Sequence, residues 1–203
     1  GISQLQLCFR YGNYTFSMGN EQKVSVRVIK AEEEYTFKRV KRQTDWEKAK
    51  YAELLKMGLK KSGPVFYTLE LSNKEEADPA YGVINWINEH IAELQERGFE
   101  IQQTAGQKKF LFATNHIDFE IQEDNDWFDI NAIVYFGSFA VPFIALKQHI
   151  LRKKREYSLP DGSIAIIPDK WFSQYGGLFN FSDSGKALKL HKHHVGLIND
   201  LAE

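Results

Sequence analysis

The 203 residues carry 26 lysines and arginines against 27 aspartates and glutamates, a net charge of −1, with 43% hydrophobic and 14% aromatic residues. That balance is globular and denies the chain the general basic excess of a dedicated nucleic-acid binder, so any such contact must be made by patches. The single cysteine, Cys8, rules out an internal disulfide, and no apolar run approaches the ~20 residues of a spanning helix; with no signal-peptide pattern either, the cytoplasm is the default location and no membrane contact is expected.

In chain order, Gly1 in place of Met reads as the start of a fragment excised from a longer protein and carrying a tag scar. Leu5, Leu7, Phe9 and Tyr11 alternate, Gly12-Asn13 offers a tight turn, and Tyr14 to Met18 pairs back. Val24, Val26 and Val28 with Tyr35 to Val40 extend this into an expected antiparallel meander. Thr44 with Glu47 three residues on matches a capping box and predicts a helix to Leu59, closed near Gly63. Pro64 to Leu71 then alternates as a strand. Asp78 and Pro79 open a helix whose stripe is Val83, Ile87, His90, Ile91 and Leu94, stopped at Arg97-Gly98. Short strands are expected at 99–102 and 108–112.

Ile117, Phe119 and Ile121 alternate into an acidic turn at residues 123–126, and the strand from Trp127 is the natural hairpin partner. In that strand Phe128, Ile130, Ala132, Val134 and Phe136 share one face. Gly137-Ser138 breaks it and Phe139 to Val141 returns. Pro142 suits the first turn of a helix bearing Phe143, Leu146 and Ile150, which is expected to fray into Arg152, Lys153, Lys154 and Arg155. Tyr157 to Leu159 and Ile164 to Ile167 form a hairpin around Pro160-Asp161-Gly162. Pro168-Asp169 opens an amphipathic segment with Trp171, Phe172, Tyr175 and Phe179; residues 181–190 read as a mobile connection and 195–202 as a last short helix. The fold class is therefore α+β, antiparallel hairpins with several amphipathic helices. A soft boundary near 104 separates an N-terminal α+β subdomain, 1–104, from a C-terminal one, 105–203.

Few constellations invite chemistry. His116, Asp118 and Glu120 alternate, so a strand points all three to one side, a spacing that metal ligands use; the solvated face of a hairpin whose other face is Ile117, Phe119 and Ile121 explains them without a metal. Ser184-Gly185-Lys186 resembles the end of a P-loop but lacks the glycine where Asn180 stands and the hydroxyl where Ala187 stands. Cys8 is expected in a buried strand and His90 as a core histidine with one hydrogen bond. No catalytic residue, metal ligand or cofactor site is therefore expected. Basic runs remain at 38–61, at Lys147 with Arg152 to Arg155, and at 189–194; clustered cations hold phosphates by releasing counterions, although a solvated charged face is the plainer account of each.

One ordered set of residues goes further. WFDI at Trp127, the strand ending Tyr135-Phe136-Gly137, Val141-Pro142, Arg155-Glu156-Tyr157, the Leu159-Pro160-Asp161-Gly162-Ser163 turn, Ile167-Pro168 and Trp171-Phe172 resemble the bacterial SNF2 helicase-associated domain. That domain lies N-terminal to the two-lobed ATPase of bacterial SWI2/SNF2-type proteins. The match is concentrated in the last part of the chain, with a weaker echo before residue 100. It implies a non-catalytic accessory domain that positions or regulates a DNA translocase. The implied partners are the C-terminal ATPase lobes of the same parent chain and duplex DNA, for which Arg152, Lys153, Lys154 and Arg155 are the candidate contacts. A protein-interaction module that never meets nucleic acid is the alternative, and a metal-dependent enzyme built on His116, Asp118 and Glu120 is a third.

Overall fold

A computed structural model of the chain describes residues 4–20, 23–31, 34–68, 81–104, 106, 108–181 and 188–194. The fold is α+β, with four α-helices and thirteen short strands in small antiparallel sheets among the described residues. The chain divides into two compact units, Gly1–Val83 and Ile84–Glu203. This division falls earlier than the expected boundary at 104.

In the first unit β2 (Cys8–Tyr11) and β3 (Tyr14–Ser17) close over the Gly12-Asn13 turn, with Gly12 at φ +59° where a side chain is disfavoured. β4 (Val24–Ala31) and β5 (Glu34–Lys41) pair over their whole lengths, yet join no other strand among the described residues. The expected meander is instead separate ribbons plus a three-stranded sheet. That sheet places β7 (Val65–Thr68) between β1 (Leu5–Gln6) and β6 (Leu59–Ser62). The helix α1 runs Thr44–Lys56 and stops at Gly58, φ +93°, rather than Gly63, which instead turns β6 into β7. At its N-terminus Gln43 makes no side-chain capping hydrogen bond among the described residues. Leu59 and Phe66 are fully buried, and Tyr51 packs on Phe66 with ring centroids 5.8 Å apart.

The second unit is built on a four-stranded sheet. β8 (Asn115–Asp124) covers one edge of β9 (Trp127–Phe136) along its whole length. The other edge is shared: β10 (Phe139–Pro142) pairs with residues 133–136 and β13 (Leu188–His191) with 127–130. The 181–190 connection is thus not simply a loop, because its last part supplies a strand with Leu188 and Leu190 buried. Residues 182–187 and the expected helix at 195–202 lie outside the described residues, as do Asp78 and Pro79.

The helix expected after Pro142 is a 3₁₀ turn, Phe143–Leu146, followed by five α-helical residues, α3 (Lys147–Leu151). Pro142 itself ends β10, extended at ψ 128°. Phe143 is held among Phe119, Tyr175 and Phe179, with ring centroids 5.7, 5.1 and 4.7 Å away, and this packing fixes the turn. Complete burial of such a ring stabilises by about 1.5–3 kcal/mol. β11 (Glu156–Ser158) and β12 (Ile164–Ile166) form the expected hairpin, with Gly162 at φ +79°. α4 (Asp169–Phe181) closes the core with Trp171, Tyr175, Leu178 and Phe179.

The helix α2 (Gly82–Glu96) ends at Gly98, where Phe99 N–H reaches the Leu94 carbonyl at 2.8 Å. The strands expected at 99–102 and 108–112 do not form. One parallel bridge, Phe110 to Ile164, is what that stretch contributes among the described residues.

Candidate nucleic-acid interface

The basic residues after α3 do not fray. Lys153 N–H bonds to the Ile150 carbonyl at 3.1 Å and Lys154 N–H to the His149 carbonyl at 2.8 Å, a paired closure that requires Lys153 to adopt φ +53°. A lysine in this left-handed position is conformationally costly, and the two bonds hold it there. Arg152, Lys153 and Lys154 are exposed as a result. Arg155 parts company with them: it forms an ion pair with Asp169 at the start of α4, and its guanidinium lies 5.9 Å from the Phe172 ring centre. The candidate set therefore separates into three outward cations and one that joins β11 to α4.

His149 lies beneath this closed end, its ring edge-on to Tyr157 at 5.2 Å. Burial, reinforced by the Lys154 charge, pushes its pKa below the ordinary histidine value. The site thus favours neutral imidazole under a cationic loop.

The run 38–61 is broken up in space. Arg42 is buried and donates through Nε to Glu47 Oε1 at 2.8 Å and through Nη2 to Glu47 Oε2 at 2.6 Å, while Tyr11 Oη–H donates to the same Oε1 at 2.7 Å. Glu47 therefore serves this node rather than a capping box. Lys50 is paired with Glu53 at 3.1 Å, and Lys48 lies 3.8 Å from Asp45. Lys38, Arg39 and Lys41 remain exposed on β5. Their strand partner β4 adds Arg27 and Lys30, both exposed.

These two additions were hidden in sequence, where 24–30 reads as a valine strand. The signal that recovers them is register: Lys30 faces Tyr35, Val28 faces Phe37 and Val26 faces Arg39. The third run, 189–194, is largely balanced by carboxylates, Lys189 with Asp129 at 3.0 Å and Lys192 with Glu123 at 2.6 Å.

The remaining candidates have ordinary places. His116, Asp118 and Glu120 all face solvent on β8, and the His116 ring stacks on Tyr135 across the strands at 4.7 Å and 9°. Among the described residues no group of three or more histidines, cysteines or acids is arranged to hold a metal. Cys8 is exposed, contrary to expectation, because the alternation that buries Leu7 and Phe9 must turn it outward. His90 is half-buried, with Nδ1 2.9 Å from the Trp86 carbonyl. Ser184-Gly185-Lys186 lies outside the described residues.

Two clefts open in the second unit. One of about 360 Å³ lies where β10 and β13 leave Asn131 and Ala132 of β9 between them. The other, about 480 Å³, is bounded by α2, residues 98–101 and 109–112, and the 161–163 turn. In that turn Asp161 accepts from both the amide and the hydroxyl of Ser163, at 3.0 and 2.6 Å, which holds its carboxyl below the usual range.

No family model, curated protein or solved structure matches the chain. No helix among the described residues is long and apolar enough to cross a membrane.

Proposed function

We propose that this chain is a non-catalytic accessory domain of a SWI2/SNF2-type ATP-dependent DNA translocase, one that positions or regulates the motor and touches its DNA. The observation that carries this reading is the stretch that resembles the bacterial helicase-associated domain. From Trp127 to Phe172 it forms one continuous path through β9, β10, α3, β11 and β12 into α4. Its apolar positions Ile130, Val134, Phe136, Val141, Leu159, Ile167 and Trp171 all enter one core. The apolar residues of that stretch thus contribute to one core. Arg152, Lys153 and Lys154 are the cations this core holds outward, suited to sequence-independent phosphate contacts.

The coding sequence beyond Glu203 is the direct test. A Walker-A lysine followed by a DExH-type box supports the reading, and an unrelated continuation overturns it. The alternative is a protein-interaction module that does not bind nucleic acid. A salt-dependent DNA titration separates the two, because a module that avoids nucleic acid shows no binding that weakens with salt.

A further inference from the structure

The β4–β5 ribbon presents a surface that packing in its own unit does not explain. Val26, Val28, Tyr35 and Phe37 are 57, 50, 59 and 68% exposed, and register puts all four on one side with Lys30, Arg39 and Lys41. The Lys30 ammonium lies 5.5 Å from the Tyr35 ring centre. Arg27 and Lys38 face each other on the opposite side.

We propose that this ribbon docks single-stranded nucleic acid, with bases stacked on Tyr35 and Phe37 and phosphates met by Lys30, Arg39 and Lys41. Charge selects a polyanion, because the stem carries five cations, Arg27, Lys30, Lys38, Arg39 and Lys41. The rings select an unpaired strand. A duplex keeps its base faces stacked internally and offers phosphates and groove edges, whereas single strands expose π-faces that aromatic side chains cover. Tyr35 and Phe37 are two residues apart on one strand, about 6.6 Å, a spacing that lets successive splayed bases occupy successive rings. This inference does not depend on the accessory-domain reading.

The test is fluorescence anisotropy of labelled oligothymidylate, oligouridylate and a duplex of equal length with the 203-residue chain, at several salt concentrations. Single strands are expected to bind more tightly than the duplex, with Y35A/F37A weakening them roughly ten- to hundredfold per ring. K30Q/R39Q/K41Q is expected to reduce the salt slope by about 2, near 0.7 per phosphate contact on a single strand. Y35L/F37L keeps apolar cover without the ring faces, so it preserves the test if the alanine pair lowers the melting temperature. Equal single-strand binding by Y35L/F37L and the parent overturns the proposal. So does preference for the duplex, or self-association of the parent that Y35L/F37L abolishes.

Discussion

Glu47→Ala should be among the most damaging substitutions in the first unit. The Arg42 and Glu47 side chains are only 5% and 8% exposed, and three hydrogen bonds converge on the carboxylate. Arg42 also donates to the Asn20 carbonyl at 2.5 Å and lies over the Phe16 ring at 5.0 Å, so the guanidinium cannot turn to water without disturbing β3. Removing the carboxylate leaves a buried cation without its counter-charge, a loss of about 3–5 kcal/mol. Tyr11 loses its acceptor as well, while its oxygen still receives the Gln43 N–H at 2.9 Å. That is worth roughly 1 kcal/mol more.

The same node gives a pH signature. Burial alone would raise the Glu47 pKa, but hydrogen bonds from Arg42 and Tyr11, with the guanidinium charge, outweigh it and hold the carboxyl below its ordinary value. The stabilisation is therefore present above the unfolded value of about 4.3 and is lost as pH falls through the folded one. Because the chain has two units, hydrogen exchange should be read on peptides from β2, β3 and α1 rather than from a global melt. Arg42→Met with Glu47→Leu should be less damaging than Glu47→Ala, since an apolar pair leaves no orphaned charge. A Glu47→Ala loss below about 1 kcal/mol would refute the buried pair.

In the second unit, Lys153→Gly should stabilise by about 0.5–1 kcal/mol by relieving a lysine held at positive φ, measured by urea unfolding. Gly137→Ala should cost more than Gly162→Ala. Both sit at positive φ, but a Cβ at 137 would lie 2.8 Å from Ala113 Cβ while one at 162 meets nothing within 4 Å. Equal costs would show that the clash relaxes freely. His149, held neutral, should make the unit lose stability as pH drops below the ordinary 6.5, and His149→Phe should flatten that slope. Neutralising Arg152, Lys153 and Lys154 should lower the salt slope of any duplex binding, whereas Arg155→Gln should chiefly lower stability by releasing Asp169; a phosphate-contact role for Arg155 would reverse this pattern.

Local chemistry made the turns readable. Gly12, Gly98, Gly137 and Gly162 all take positive φ at the expected breaks. What failed depended on partners distant in sequence. Glu47 has capping-box spacing from Thr44, but Tyr11 and Arg42 claim its carboxylate. Residues 99–102 and 108–112 read as strands, yet among the described residues they contribute one bridge, Phe110 to Ile164, instead of a ladder. Conversely Leu188 and Leu190 join the sheet because β10 covers only part of β9, leaving residues 127–130 an open edge.

Charge is the property least legible from spacing. Each basic run in the sequence is sorted by the fold into cations that face acids and cations that face water. Arg155 goes to Asp169, Arg42 to Glu47, Lys189 to Asp129 and Lys192 to Glu123. Among the exposed cations, Arg152, Lys153 and Lys154 sit at the closed end of α3, Lys56 at the end of α1, Lys60 and Lys61 on β6, and Lys38, Arg39 and Lys41 on the β4–β5 ribbon, where Arg27 and Lys30 join through pairing rather than sequence proximity. A net charge of −1 is compatible with such local groups of cations, since net charge does not fix how the charges are distributed. The groups at the α3 end and on the ribbon also differ in kind. The α3 end offers point charges alone, whereas the ribbon sets cations beside exposed rings, so salt should weaken contacts at α3 more completely than contacts at the ribbon, whose stacking survives screening.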